Sequence, residues 1–306
     1  MHALNFFVHF LFLCALLTSA KPAWAQAEDT SLWEYGFGLG YVHFEHYPAA
    51  DQFSNLFLPF PTFQYRGRIL RADDREGTRA YLFKGERWSF EMAGGGYPAL
   101  KSDENSARRG MDDLPWMLQL GPQLVVKLVP DFEFKLAVFQ ALSTDFSLTK
   151  TAGIAYQGKL QYRWQTQFSN EDFKVPVLAE QITSFGQLTW SLKGGDKEFL
   201  RTYFEVPALF ATSSRPAFSA RSGFLSSELS YFQSFRSGRA SFYLGAALTD
   251  YAGSSNRKSP LHKSDLNVTY LVGLTYVLGE SQRPSVPLEQ TEGLINRFEK
   301  RLNLMP

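Results

Sequence analysis

The chain has 306 residues, of which 44% are hydrophobic, 16% aromatic and 20% charged, and its formal net charge is +1. The near-zero charge removes the electrostatic case for nucleic-acid binding. So many aromatic rings with so little net charge exclude a disordered chain. Beyond the extreme N-terminus, no uninterrupted apolar stretch approaches about 20 residues, which excludes a polytopic helical membrane protein. We therefore expect a β-rich protein.

The N-terminus has the features of a cleaved export signal. Residues 6–19 form an apolar run, and Ala23-Trp24-Ala25 behind it is a small-x-small cleavage pattern. A buried core helix is the alternative. We expect residues 1–25 to be a signal peptide, which removes the only cysteine, Cys14. An exported protein without disulfides needs another source of stability, and a closed hydrogen-bonded barrel supplies one.

The mature chain alternates with period two. Between residues 154 and 168, the apolar side chains on one face are Ile154, Tyr156, Leu160, Tyr162, Trp164 and Phe168. The long polar side chains on the other face are Gln157, Lys159, Gln161, Arg163, Gln165 and Gln167. Because successive side chains of a strand point to opposite faces, this pattern predicts a long strand. A helix would mix the two sets and leave no amphipathic stripe.

Alternating strands occur both in secreted β-sandwiches and in membrane barrels. The strands predicted here are much longer than the usual five or six residues or so of a sandwich. Aromatic residues also gather near strand ends, at Trp33, Tyr65, Trp88, Trp116, Phe168 and Tyr251. Such positions are typical of the interfacial girdles of outer-membrane barrels. The sequence therefore predicts an all-β fold, a transmembrane antiparallel β-barrel over residues 26–279.

Twelve strands are predicted, and their number sets the expected topology. They cover residues 32–43, 54–66, 67–83, 87–97, 114–128, 132–147, 150–167, 178–194, 198–206, 222–236, 239–252 and 265–279. An even number leaves both termini in the periplasm. The predicted periplasmic turns are 66–67, 149–150, 194–196 and 237–238. The predicted extracellular loops include 44–53, 168–177, 207–221 and 253–264.

One connection does not fit this scheme. Residues 98–113 follow the fourth predicted strand and so fall on the periplasmic side, although the connection is long and carries charges of both signs. Three interpretations stay open: an extracellular loop with the strand parity wrong by one, a plug in the barrel mouth, or a periplasmic docking surface. The residues of that candidate surface are Arg108, Arg109, Asp112 and Asp113.

The lumen and the C-terminus give two further predictions. The inward polar side chains predict a narrow, polar lumen in which carboxylates such as Glu133 pair with Lys159 or Arg163, because buried charges need partners. Residues 280–306 form a predicted periplasmic tail. In it Leu288, Leu294, Ile295, Phe298 and Leu302 fall roughly on one helical face. A short amphipathic helix and a solvated tail are the two interpretations.

The residue types of catalytic and metal sites are sparse. His43 and His46 beside Asp51 form at most part of a metal site, since structural zinc takes four ligands. Polar residues at a strand end are the alternative explanation. No phosphate-binding glycine loop and no nucleophile elbow is present, and Ser259 near His262 is no triad by adjacency alone. We predict no enzyme activity, no cofactor and no metal.

Several motifs resemble those of the MipA/OmpV family of outer-membrane proteins, named for an MltA-interacting protein. They are residues 33–40 (WEYGFGLG), 58–61 (LPFP) with 65–67 (YRG), 71–73 (RAD), 76–77 (EG), 105–111 (NSARRGM), 113–114 (DL) and 259–261 (SPL). The resemblance implies a barrel in the outer membrane. For the named member it implies a scaffold between a lytic transglycosylase and a murein synthase. Members usually end at a strand with a final aromatic residue, whereas here a tail follows the last strand.

Three functional classes follow from the barrel and the resemblance. A scaffold requires a periplasmic surface that binds partners and a lumen too filled to conduct. A porin, as a narrow channel for small solutes, requires a water-filled lumen. An adhesin requires the activity to lie in loops such as 44–53, 207–221 and 253–264. The strand count does not decide, because twelve lies between filled barrels of about eight strands and open porins of about sixteen.

Overall fold

The computed structural model describes residues 31–73, 77–169, 179, 181–287 and 290–297. These residues form a closed barrel in which each strand pairs antiparallel with the next and β12 closes on β1. The strands are β1 (Trp33–Glu45), β2 (Phe53–Arg66), β3 (Leu70–Asp73), β4 (Gly77–Lys84), β5 (Trp88–Tyr97), β6 (Trp116–Val129), β7 (Phe132–Thr144), β8 (Thr149–Ser169), β9 (Gln181–Gly195), β10 (Gly223–Ser237), β11 (Ala240–Asp250) and β12 (Leu266–Glu280). One α-helix, α1 (Lys197–Phe204), interrupts them. The predicted signal peptide lies outside the described residues.

The predicted number of twelve strands is confirmed, but two predicted strands are wrong and their errors cancel. The segment 67–83 is not one strand but the short hairpin β3–β4. The segment 198–206 is not a strand but contains α1. The other predicted strands match observed ones within a few residues. Among the described residues, no helix is both long and apolar enough to cross a membrane.

The local sequence explains why α1 is a helix. Asp196 is its N-cap, and the carboxylate accepts a hydrogen bond from the Phe199 backbone N–H at 2.8 Å. This interaction satisfies one of the backbone donors that every helix N-terminus leaves unpaired. The buried side chains of α1 are Phe199, Leu200, Tyr203 and Phe204, which recur with helical spacing. The segment is too short for its sequence alone to separate this period from that of a buried strand.

The inward and outward faces of β8 are as predicted. Tyr156 and Tyr162 are 41% and 48% exposed on the outside of the barrel. Arg163 forms an ion pair with Glu133 at 2.5 Å in the interior, and Lys159 lines the interior cavity. On β1 the glycine face points inward, where a Cβ on Gly38 would lie 2.6 Å from the Phe60 ring. Glycine there leaves room for an inward aromatic side chain.

The placement of the connections corrects the predicted topology. The β1–β2, β5–β6, β7–β8, β9–β10 and β11–β12 connections lie at one end of the barrel, the loop end. Residues 31 and 281–287 lie at the opposite end, the termini end, where Ser31 pairs with Pro284. The segment 98–113 and the turns 149–150 and 194–196 therefore lie at the loop end, not on the side of the termini. The ends of β8 and β9 that flank 168–177 lie at the termini end. Counting the hairpin as one strand reversed the predicted direction of the strands between residues 87 and 194, and counting α1 as a strand restored it from residue 222 onward.

We expect a charged substitution on the outer face of the barrel to be more destabilising the deeper it lies in the membrane. Leu136 lies on the outer face of β7 and is 48% exposed, whereas Leu148 lies in the β7–β8 turn and is 57% exposed. Leu136→Arg should cost about 2–4 kcal/mol because the charge enters hydrocarbon, while Leu148→Arg should cost about 0–1 kcal/mol. Urea unfolding in lipid vesicles measures both. Equal costs would contradict the assignment of this face to lipid.

Candidate functional site

The loop end of the barrel is filled by an apolar cluster, here called the mouth plug. Its members come from α1, from the loops and from the inner faces of the strands below. The side chains that are at most 3% exposed are Tyr47, Met117, Phe199, Leu200, Tyr203, Phe204, Val206, Leu225 and Leu261, together with the small residues Ala49, Ala50, Ala137, Ala141 and Ala220. The mouth is thus closed by a packed core rather than by mobile polar loops.

Aromatic packing and a close backbone contact hold α1 in the mouth. The Tyr97 ring of β5 lies 6.5 Å from the Phe199 ring and 5.4 Å from the Tyr203 ring, measured between centroids. Gly153 of β8 has a positive φ of 89°, and a Cβ there would lie 2.4 Å from the Phe199 backbone N. Only glycine therefore permits this approach of the helix N-terminus to the strand.

Hydrogen bonds between loops complete the mouth plug. The Tyr47 hydroxyl donates to the Leu261 carbonyl at 2.9 Å. The Ser259 hydroxyl donates to the carbonyl of Phe204, the last residue of α1, at 2.6 Å. Ser259 is thus a structural residue, and His262 contacts Asp265 at 2.9 Å. Hydrogen bonds from Arg257 and His262 lower the pKa of the Asp265 carboxyl.

The candidate residues of segment 98–113 belong to this closed end. Arg108 is 4% exposed, and its guanidinium lies 5.7 Å from the centre of the Tyr47 ring. Burial lowers the pKa of Arg108. Asp113 accepts a hydrogen bond from the Ser102 N–H at 2.7 Å, and the Asp112 carbonyl accepts one from Arg108 at 3.2 Å. The Arg109 carbonyl accepts one from Arg215 at 3.0 Å.

The two histidines near the first loop have separate contacts. The Nδ1 atom of His43 lies 2.8 Å from Asn55 Oδ1, and its ring stacks on Phe53. The Nδ1 atom of His46 lies 3.2 Å from Asn105 Nδ2. Burial lowers the pKa of His46. Within the described residues, no group of three or more His, Cys, Asp or Glu side chains could hold a metal ion.

Below the mouth plug, the interior is polar and ion-paired. Glu133 contacts Arg163 at 2.5 Å and Lys135 at 3.5 Å, which confirms the predicted role of Glu133 as a partner for inward cations. Three further clusters have the same form. They are Asp73 with Arg71 and Arg79, Glu228 with Lys193, and Glu34 with Arg66 and Arg236, at 2.7 to 3.4 Å. The predicted polar interior is therefore observed.

A cavity of about 400 Å³ lies between the mouth plug and these ion pairs. Tyr97, Phe139, Phe199 and Leu225 form its apolar side. Its polar side carries Arg79, Gln119, Gln123, Lys135, Gln157, Lys159, Gln161, Gln187 and Lys193. Among the residues that the structure describes, no acidic side chain lines this cavity. The volume lies at the small end of the range of ligand pockets.

Sequence analysis missed the residues that close the mouth and several interior carboxylates. The Asp196 cap followed by paired apolar residues was the available signal for α1. Glu34 and Glu228 alternate with outward apolar neighbours, so the period-two pattern could have placed them inside. Asp73 lies in a strand of only four residues, which has no usable period.

Comparisons with known proteins agree with this architecture. The family model described as MltA-interacting protein MipA matches residues 37–278. No curated protein matches the sequence significantly. The NanC porin is a similar solved structure, with 8% identity and a TM-score of 0.33; the match covers 79% of this chain and 98% of that chain. The CymD monoaromatic hydrocarbon channel has 8% identity and a TM-score of 0.32, and its match covers 84% of this chain and 90% of that chain. OprB of Pseudomonas putida has 7% identity and a TM-score of 0.26, and its match covers 82% of this chain and 95% of that chain. The likeness is confined to the outer-membrane barrel fold.

We expect the mouth plug to unfold locally when one of its large buried side chains is removed. Phe204→Ala removes a side chain with no exposed surface and should destabilise the plug by about 3–5 kcal/mol. Hydrogen exchange should rise across α1 while the barrel keeps its heat-modifiable migration on gels. Leu209→Ala, at a side chain that is 85% exposed, is the matched control and should leave exchange unchanged. Unchanged exchange in Phe204→Ala would contradict a cooperative plug.

The interior ion pairs should be costly to break. Glu133→Gln leaves Arg163 and Lys135 without this carboxylate in the interior and should cost about 3–5 kcal/mol in urea unfolding. Glu198→Gln removes the exposed pair with Arg201 and should cost about 0–1 kcal/mol. If Glu133→Gln lowers the free energy of unfolding by no more than the control variant does, water already screens the interior ion pair.

Proposed function

The chain belongs to the MipA family, and from that membership we propose that it is an outer-membrane scaffold that binds a lytic transglycosylase and a murein synthase. The family description names an interaction with the transglycosylase MltA. The murein synthase is included as a partner because the resemblance of the sequence motifs implies it. The protein's own contribution is then a fixed position in the outer membrane and a binding surface, not a reaction.

The closed mouth is the observation that carries the proposal. A diffusion channel needs a continuous aqueous path, and the mouth plug occupies that path with side chains that are almost fully buried. Below the plug lies the cavity of about 400 Å³, and ion pairs cross the interior around it. A narrow porin is the other candidate function. The packing of α1 argues against a porin because it blocks the path that a solute would take through the mouth.

The binding surface of a scaffold for murein enzymes has to face the periplasm. Outer-membrane barrels keep their termini on that side, so the loop end faces outward and Arg108, Arg109, Asp112 and Asp113 are out of a periplasmic partner's reach. The termini end carries the described part of the tail instead. There the Val286 N–H donates to the Arg66 carbonyl at 3.0 Å, and the Arg71 guanidinium donates to the Val286 carbonyl at 2.8 Å.

The tail offers apolar side chains to a partner. Residues 294–297 are helical, and the neighbouring Leu294 and Ile295 are 38% and 49% exposed. The Asn296 side chain accepts a hydrogen bond from the Lys84 N–H at 2.8 Å, which ties this turn to β4. The rest of the predicted amphipathic helix lies outside the described residues. We assign the partner surface to this anchored turn.

Two measurements test the scaffold. In planar bilayers, the purified protein should show no large, stable conductance steps, because the mouth is packed. The protein should also retain the lytic transglycosylase of its own organism in a pull-down. The double substitution Leu294→Asp and Ile295→Asp should weaken this retention about tenfold or more, since it puts two charges into an apolar contact.

Leu209→Asp, at an exposed apolar position of the loop end, is the matched control and should retain the enzyme normally. Porin-type steps in the intact protein would overturn the closed-mouth interpretation. Failure to retain any lytic transglycosylase would overturn the scaffold. Equal retention by the tail variant and its control would remove the tail as the contact surface.

A further inference from the structure

The wall of the barrel is incomplete between β2 and β5. β3 is four residues long and pairs only with Tyr65 and Arg66 of β2, and β4 pairs with β5 no further than Ala93. In the part of the chain that the structure describes, residues 53–64 have a strand partner only on the β1 side. Residues 94–97 have one only on the β6 side. We call the gap between these two stretches the lateral opening.

Two prolines lie on the unpaired edge of β2. The Arg66 N–H donates to the Leu32 carbonyl at 2.7 Å, and the register between β1 and β2 is unbroken. Even-numbered residues of β2 therefore bond to β1, while odd-numbered residues direct their backbone N and O atoms to the opposite side. Pro59 and Pro61 are odd-numbered, so neither has an N–H to give to a strand on that side.

This edge cannot be closed by adding a strand. A partner strand, whether from another protein or from a second copy of the chain, would lose two backbone hydrogen bonds next to each other, and proline on an edge is a known way to block such pairing. The remaining carbonyl groups cannot face hydrocarbon unpaired. Irregular or unpaired backbone at membrane depth is tolerated where it borders a water-filled cavity.

A cavity with many polar lining residues lies behind the lateral opening. The 400 Å³ cavity is bordered by Gly77, at the end of β4, and by Gly95 of β5, which both belong to the rim of the opening. A Cβ on Gly95 would meet nothing closer than 3.8 Å, so the cavity has free space beside this residue. The cavity therefore borders the β4–β5 side of the lateral opening, while the mouth plug lies above it.

The cavity has unbalanced positive charge. Lys193 is paired with Glu228 at 2.7 Å, and Lys135 contacts Glu133 at 3.5 Å. For Lys159, which lines the same cavity, no carboxylate of the described residues lies within ion-pair distance. A cation inside a barrel, away from bulk water, is stabilised by a counter-charge, and a cavity that the described residues line with lysines and glutamines but no acid suits an anion.

The inner surface near the opening is apolar. Leu56 and Leu58 belong to the free part of β2 and are 40% and 41% exposed. Leu58 is paired with Gly40 on the inward face that also holds the Phe60 ring. The lateral opening thus has a cavity lined by cations on its β5 side and an apolar inner surface on its β2 side.

We propose that the barrel binds an anionic amphiphile of the membrane, which enters sideways through the lateral opening. Lys159 binds its phosphate or carboxylate head group, and Lys135 and Lys193 add to the positive potential. The apolar chain lies against Leu56 and Leu58 and leaves through the gap into the bilayer. This binding site is independent of the scaffold function proposed above.

Dodecyl phosphate is the probe for this site, added to the full-length mature protein in a neutral sugar detergent. Calorimetry should show saturable binding of dodecyl phosphate that is much tighter than that of inorganic phosphate or of dodecanol. Lys159→Gln should weaken it about tenfold or more, because a hydrogen bond to a charged group is lost. Lys150→Gln, at an exposed position of the same strand, is the matched control and should bind normally.

A photoreactive group at the far end of the dodecyl chain locates the route. Cross-links in residues 53–64 or 94–97 support entry through the lateral opening. Cross-links confined to other parts of the barrel surface, or equal affinity in the two lysine variants, would mean ordinary detergent-like adsorption and overturn the proposal. Equal affinity for inorganic phosphate would replace it by a site for free anions. Heat-modifiable migration shows that each variant is folded, and none of these outcomes bears on enzyme retention.

Discussion

Closure of the hydrogen-bonded sheet is the constraint on which the rest of this protein depends. Hydrocarbon offers no partner to a backbone N–H or C=O group, so a membrane-spanning sheet must end where it begins. Here β12 pairs with β1 along ten residues. Closure fixes which face of every strand meets lipid and which meets the interior, and it thereby imposes the alternation of apolar and polar side chains throughout the chain.

The alternation places charged side chains in the interior, where losing contact with water is unfavourable, and ion pairs offset this loss. Polar side chains forced inward at a small diameter include Arg79, Arg163 and Lys193, and each has a carboxylate at 2.5 to 3.1 Å. Charges buried in pairs contribute little net stability, but an unpaired one is expensive. The pairs therefore hold the geometry of the interior, whereas Lys159 has no carboxylate of the described residues within ion-pair distance.

The two ends of the barrel and its side have different properties. The loop end is a small hydrophobic core built around α1 and resembles the inside of a soluble protein. At the termini end, the tail is anchored by the Val286 N–H, which donates to the Arg66 carbonyl, and by the Arg71 guanidinium, which donates to the Val286 carbonyl. The side between β2 and β5 is kept unpaired by Pro59 and Pro61. A closed mouth with an open side separates this barrel from a diffusion channel, and gives the LPFP motif a physical meaning.

The sequence alone determined the fold class, most strand positions and the faces of β8, because period-two alternation is a local property that any strand of a closed sheet must show. It also indicated Glu133 as an interior partner, since inward cations require one. Only the tertiary structure decided which end holds segment 98–113, because one misjudged hairpin at residues 67–83 reverses the direction of the strands that follow it as far as α1. Likewise the Asp196 cap is a local signal for a helix, but burial of Phe199 and Phe204 in the barrel mouth is what selects α1 over a strand. The unpaired edge of β2 exists because its neighbour is short. Both depend on contacts between residues far apart in the chain, which no local pattern records.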